Sequence, residues 1–460
     1  MGDLDVDGAT TTDGITNAGN FSTDGGTIKL DGNYPTGTGN VALGDTALDT
    51  VEAGGTYNTA IGHNAATGIT TGDNNTAVGA LTLDALSTGE GNTGLGYGAL
   101  SGVTTSNYNT AVGEYAGVST STGGNNVAIG RAALYANTTA SNNTAVGTSA
   151  LNANTTGGYN TAIGDNALAT NTTANNNTAV GGLALNLNTT GTGNTAVGTA
   201  ALDTNTTGSS NTGLGKSTLD ANTTGSNNTA IGIDALAANT TANNNTAVGY
   251  QALLENTTGT DNVAMGVLAL ENNTTGTNNV GLGREALAAN TTASNNAAVG
   301  YRTLLANTTG TANSALGAYS LDANTTGSYN TGIGYNNLTS NTTGQSNTAV
   351  GFEALKDNVD GGSNTAVGVY ALFDNTASNN TAVGRDALKL NTTGTSNTAV
   401  GDTSMASQTT GSNNTALGRR SLDASTTGSE NTAVGERSLS ALTTGSDNAM
   451  IGYLSGDAIT

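Results

Sequence analysis

Three aspartates near the start of this 460-residue chain are its clearest group of potential metal ligands. Asp3, Asp5 and Asp7 alternate as they do at the start of a calcium-binding loop, where carboxylate oxygens surround the ion. Such a loop closes on a bidentate acidic residue, but Gly14 stands at that place here. We therefore expect an ordinary strand with its aspartates towards water, and keep a metal site at Asp3, Asp5 and Asp7 as the alternative.

The other reactive residue types are too few or too scattered to form a catalytic set. The chain has one histidine, His63, and no cysteine, which excludes a histidine cluster, a thiol metal site and a disulfide framework. Asp, Glu and Tyr occur singly, and the regular spacing of the Asn-Thr-Thr sequons favours turns over glycosylation. We expect no enzyme and no cofactor; a glycan depolymerase whose acidic residues meet between chains stays open as an alternative.

The charge balance limits the partners. Lys and Arg number 11 against 33 Asp and Glu, a formal net charge of −22, so the clustered cations that bind phosphates are missing. No apolar run approaches the roughly 20 residues that cross a bilayer, and no basic segment followed by an apolar one opens the chain. We therefore expect no nucleic-acid partner, no membrane insertion and no signal peptide.

A five-residue phrase, Asn-Thr-Ala-Val-Gly, recurs through most of the chain. It occurs 25 times with limited variation, and from Gly62 to Gly368 its Gly returns every 17 residues. The first interval is 18 residues, and the interval from Gly368 to Gly384 is 16. The consensus unit is N-T-A-V-G-x-x-A-L-x-x-N-T-T-G-x-x, and its columns are numbered here from this Gly as column 0, so that the first Asn is column −4.

Each unit holds two short stretches, T-A-V and A-L, separated by Gly, Asn and Thr. The unit is too short for a helix pair, and short stretches bounded by turn residues are typical of strands. We therefore predict an all-β fold, a parallel β-solenoid (β-roll) of about 25 coils with a 17-residue period and two strands and two turns per coil. At roughly 4.8 Å per coil, the rod would be roughly 120 Å long.

Stacking of identical units predicts ladders of like residues along the rod. We expect an amide ladder at column −4, a Gly with positive φ or close backbone approach at column 0, and an aliphatic interior at columns −1 and +4. Two consecutive units supply the assigned residues: Asn143, Val146, Gly147, Leu151, Asn160, Ile163, Gly164 and Leu168.

Column −2 holds the smallest residues. It is Ala or Gly in 24 of 25 copies, as at Ala145 and Ala162, and only Met450 departs. Since a strand residue beside an inward one points outward, we expect this column to face other copies of the chain, which a narrow coil needs to complete its buried surface. The alternative is that small residues simply suit a tight coil.

The repeated phrase resembles the head repeat of trimeric autotransporter adhesins and the repeat region of bacteriophage tail fibres, over about residues 40–456. The resemblance implies a homotrimer, with coils intertwined or side by side, in a tail fibre that joins other tail or fibre proteins at one end and attaches to a host-surface glycan or protein receptor. Because no leader or membrane anchor is visible, we expect a virion protein. A bacterial surface adhesin or extracellular filament subunit is the alternative.

This pattern divides the chain into an N-terminal β cap or attachment segment (1–39), a solenoid shaft (40–456) and a short tail (457–460). Ice binding is a further alternative for function, since the Thr-Thr pairs at columns +8 and +9 would form regular rows of hydroxyls along the rod.

Overall fold

Residues 37–458 of a computed structural model form one continuous stack of coils, and these are the residues that the structure describes. Each coil contributes one three-residue strand from columns −3 to −1, and the 25 strands form a single parallel sheet. The register is one repeat, with Thr144 opposite Thr161 and Val146 opposite Ile163. The predicted parallel β-solenoid is therefore confirmed, and no helix occurs within residues 37–458.

In chain order the strands are β1 (Val41–Leu43), β2 (Thr59–Ile61), β3 (Thr76–Val78), β4 (Thr93–Leu95), β5 (Thr110–Val112), β6 (Val127–Ile129), β7 (Thr144–Val146), β8 (Thr161–Ile163), β9 (Thr178–Val180), β10 (Thr195–Val197), β11 (Thr212–Leu214), β12 (Thr229–Ile231), β13 (Thr246–Val248), β14 (Val263–Met265), β15 (Val280–Leu282), β16 (Ala297–Val299), β17 (Ser314–Leu316), β18 (Thr331–Ile333), β19 (Thr348–Val350), β20 (Thr365–Val367), β21 (Thr381–Val383), β22 (Thr398–Val400), β23 (Thr415–Leu417), β24 (Thr432–Val434) and β25 (Ala449–Ile451).

The prediction of two strands per coil was wrong, because the A-L stretch belongs to a turn. Its residues at columns +2 and +4 have left-handed backbone, with φ of 55° at Ser149 and 50° at Leu151, which an extended strand does not allow. The turn still bonds to the next coil, since Leu151 N–H donates to Ala167 O at 3.0 Å and Ala153 N–H to Ala169 O at 2.9 Å. Backbone polar groups outside the strands are thus satisfied between coils as well.

The interior of a typical coil, such as that of Gly147, holds one large and two small apolar side chains. Ala145 at column −2, Ala150 at column +3 and Leu151 at column +4 are fully buried. A Cβ built on Gly281, at column −2, would lie 3.3 Å from Cγ of Leu270 in the preceding coil. Column −2 therefore faces the leucines of the core.

The predicted orientation of the strand was also wrong. Ala145 and Ala162, expected against neighbouring chains, are 0 % exposed inside the coil. Val146 is only half-buried and Ile163 is 41 % exposed, although both were expected inside. The space beside the leucines is filled by Ala or Gly in 24 of the 25 coils, and the alternation of a strand then turns column −1 outward.

The one 16-residue unit leaves the sheet intact. Thr365 pairs with Thr381 across it in the usual register. The missing residue comes out of the second turn, where Asn375 Nδ2 donates to Ala377 O, two residues on, at 2.8 Å. The turn absorbs the deletion, so the strand positions remain in line along the rod.

Candidate functional surfaces

Buried asparagines at column −4 close each coil from within. Asn160 donates through Nδ2 to Ala174 O at 2.8 Å, and its Oδ1 accepts the N–H of Asn177 in the next coil at 3.0 Å. Asn143 is bonded in the same way, to Gly157 O and to the N–H of Asn160, both at 3.0 Å. These side chains bond backbone groups on both sides of the coil, which is a structural role.

A second buried ladder lies at column +7. Asn154 donates through Nδ2 to Asn137 Oδ1 at 3.1 Å and to Gly157 O at 2.9 Å, so this sequon asparagine is inside the protein. The hydroxyl of Thr155, at column +8, donates to Thr172 O in the next coil at 3.0 Å. Because the column +8 hydroxyls bond to backbone, they are not free to form the Thr-Thr array considered for ice binding.

Glycine at column 0 meets two requirements at once. Gly147 and Gly164 have φ of 136° and 139°, a conformation open to glycine and costly for other residues. A Cβ built on Gly249 would also lie 2.5 Å from Gly266 O in the next coil. Both reasons expected from the sequence, positive φ and close backbone approach, apply at this column.

Columns −3 and −1 of β1–β25 point away from the interior and form what we call the outer sheet face. Column −3 holds only Thr, Val, Ser or Ala, and column −1 only Val, Ile, Leu or Met. Leu214 is 47 % and Leu316 51 % exposed. With 24 steps of roughly 4.8 Å and a width of roughly 10 Å, this face covers on the order of 1,000 Å², and its column −1 side chains form a continuous apolar stripe beside the mostly Thr column −3.

No group of His, Cys, Asp and Glu within residues 37–458 is arranged to hold a metal ion. The candidate ligands Asp3, Asp5 and Asp7 lie outside the described residues. His63 is exposed, with Nδ1 3.5 Å from Asp45 Oδ2. The described part of the chain contains no helical segment that could span a membrane.

An open cleft beside the last coils is lined mainly by polar side chains. Its lining includes Asp423, Arg437, Ser440 and Asp457. Burial raises the pKa of Asp423, an effect that Arg420 and Arg437 partly oppose. The cleft brings together two carboxylates but no histidine, since the only one in the chain is His63. Within the cleft the Ser440 hydroxyl donates a hydrogen bond to Asp457 Oδ1.

Six aromatic side chains, which the sequence presents as scattered, meet in one row on the surface. Adjacent ring centroids are 5.3 to 6.0 Å apart along the whole row. We call this set the aromatic row: Tyr301, Tyr319, Tyr335, Phe352, Tyr370 and Phe373. Sequence reasoning missed it because the rings occupy columns +1, +2 and +5. The available clue was an aromatic residue at column +1 or +2 in each coil from Gly300 to Gly368.

No family model, curated protein or solved structure matches the chain. The resemblance to fibre and adhesin repeats therefore rests on the repeated phrase itself. The boundaries of the three predicted segments likewise stay predictions; the observed strands run from β1 to β25, within the predicted shaft.

Proposed function

We propose that this chain forms the shaft of a homo-oligomeric fibre in which the outer sheet faces of neighbouring copies pack together. The observation that supports this proposal is the outer sheet face. It is uncharged in all 25 strands and apolar at every column −1 position. Its area is similar to the roughly 800 Å² that each partner buries in a standard interface. Column −1, rather than the alanines of column −2, then supplies the contacts between copies.

The resemblance of the repeat supports a trimer and a role in attachment. In this proposal the rod belongs to a phage tail fibre on the virion. It is joined to other tail or fibre proteins at one end, and the fibre attaches to a host-surface receptor. A bacterial surface adhesin or extracellular filament is the alternative cellular setting. Immunogold labelling of virions and of intact cells with an antibody to the chain separates the two.

The mass of the full chain in solution, measured by light scattering after gel filtration, tests the assembly. The double variant Val146→Glu, Val197→Glu places charges on the outer sheet face and should shift the oligomer to monomer, because desolvating these carboxylates is unfavourable. The control Thr148→Glu, Thr199→Glu adds the same charge two residues away at exposed column +1 and should keep the oligomer.

A monomeric wild-type chain would contradict this proposal. So would equal dissociation of both variants, which would indicate a general effect of added negative charge on a molecule that already carries −22.

A further inference from the structure

The aromatic row is continuous over five successive coils. Tyr301, Tyr335 and Phe352 project from column +1 and are 38, 49 and 39 % exposed. Four steps of roughly 4.8 Å separate the first coil from the fifth, so the row extends roughly 20 Å parallel to the rod. Its exposed rings thus follow one line rather than forming an isolated patch.

The rings hold one another in place. Tyr319 stands edge-on to both of its neighbours, at 88° to Tyr301 and 85° to Tyr335. Tyr335 and Phe352 are stacked, with 10° between their planes and centroids 5.7 Å apart. These mutual contacts restrict the side-chain rotamers before any ligand arrives, which lowers the entropic cost of binding.

Two ion-paired lysines fix one end of the row. Lys356 Nζ lies 5.1 Å from the Phe373 ring centroid and 3.3 Å from Glu353 Oε1. Lys389 Nζ lies 4.8 Å from the Tyr370 ring centroid and 3.2 Å from Asp386 Oδ1. The cation–ring contacts orient the rings, and the carboxylate and phenol groups beside them supply hydrogen-bonding partners at the edge of an apolar surface.

We propose that the aromatic row binds an extended neutral glycan chain lying along the rod axis. A pyranose presents an apolar C–H face to an aromatic ring while its hydroxyls bond to polar groups at the ring edge, and this row repeats such a ring from coil to coil. The net charge of −22 and the pairing of Lys356 with Glu353 disfavour a polyanion. This inference rests on the attachment role proposed above and assigns it a receptor class.

Native affinity electrophoresis of the full chain tests this site. Gels contain hydroxyethylcellulose, a soluble β-1,3-glucan or galactomannan as neutral probes, with alginate as the polyanion. We expect retardation in at least one neutral gel and a loss of affinity of roughly tenfold or more in Tyr335→Ala, Phe352→Ala. The variant Tyr335→Leu, Phe352→Leu keeps apolar bulk without the rings and should lose binding too.

The matched control is Tyr159→Ala, Tyr329→Ala, which removes two tyrosines that are 67 and 64 % exposed at column −5, away from the row. It should be retarded like wild type. The inference is overturned by no retardation in any neutral gel, by retardation in alginate alone, by equal loss in the control, or by full binding of the leucine variant.

Light scattering on the same variants separates this inference from the fibre proposal. Unchanged oligomeric mass with lost retardation supports a glycan site on an intact fibre. Dissociation of Tyr335→Ala, Phe352→Ala would make the row a contact between copies and overturn the glycan assignment, whereas a monomeric wild type that still binds glycan would overturn the fibre alone.

Discussion

Buried amide side chains satisfy the backbone groups inside each coil, as a second strand would in a wider solenoid. The turns leave backbone carbonyls and N–H groups inside the protein, and Asn at columns −4 and +7 bonds to them. Such groups are costly when unpaired, which accounts for Asn at column −4 in every copy.

Asn160→Ala should lower the free energy of unfolding by about 3 kcal/mol, since it leaves Ala174 O and the N–H of Asn177 without their partners. Hydrogen exchange across the neighbouring coils should show the loss locally. The exposed Thr156→Ala is the control and should change little. Equal protection in both variants would show that the ladder adds no net stability.

Gly249→Ala should cost about 2 kcal/mol or more, because it combines a φ of 137° with a Cβ 2.5 Å from Gly266 O. Gly182→Ala is a matched control, since a Cβ there would meet only Asp165 O at 3.9 Å. Thermal unfolding followed by circular dichroism checks this pair. Similar Tm values for the two variants would contradict the assigned role of column 0.

At the scale of the strand, the orientation of T-A-V determines which column belongs to the core and which contacts neighbouring copies in the proposed fibre. Ala162→Leu should destabilise each chain by about 1–3 kcal/mol, because the interior beside the leucines is already filled. Ile163→Ser should leave the coil folded and weaken the oligomer instead. Chemical denaturation measures the change in stability, and light scattering measures the oligomeric mass. If Ala162→Leu dissociated the oligomer and Ile163→Ser unfolded the chain, the orientation first expected from the sequence would be the correct one.

Spacing alone was enough to predict the coil, its 17-residue period and its parallel architecture, because identical units stack in one register. Orientation was not accessible, since a column limited to Ala and Gly marks crowding on whichever side it faces. The A-L stretch resembled a strand because left-handed backbone at Leu, as at Leu151, has no signature in residue type. The aromatic row depends on contacts between different columns of adjacent coils, such as Tyr319 with Tyr335.

At the scale of the whole molecule, the pH dependence of stability follows from partly buried carboxylates beside the turns. Burial is the largest cause that raises the pKa of Asp84, Asp220, Asp322, Asp374 and Asp423 above the ordinary 3.8. A pKa that is higher in the folded than in the unfolded state means that folding takes up protons. This stabilisation is complete below pH 3.8 and is lost as the pH rises through the raised values.

We therefore expect a higher Tm at pH 4 than at pH 7 at constant ionic strength. Asp220→Asn should raise Tm at pH 7 and have little effect at pH 4, because it removes the carboxylate that burial, Asp203 and Asp234 disfavour. Glu114→Gln, an exposed acid, should change Tm much less. A Tm that falls steadily on acidification would contradict this account.

The tolerance of the sheet for the 16-residue unit has an evolutionary consequence. Each coil bonds only to the coil before and after it, so duplicating or deleting a repeat in the gene would lengthen or shorten the rod by one step without redesigning any contact. Unequal crossing-over between near-identical repeats supplies such changes readily. The reach of the molecule is therefore a countable, heritable length that selection can adjust in increments of one coil.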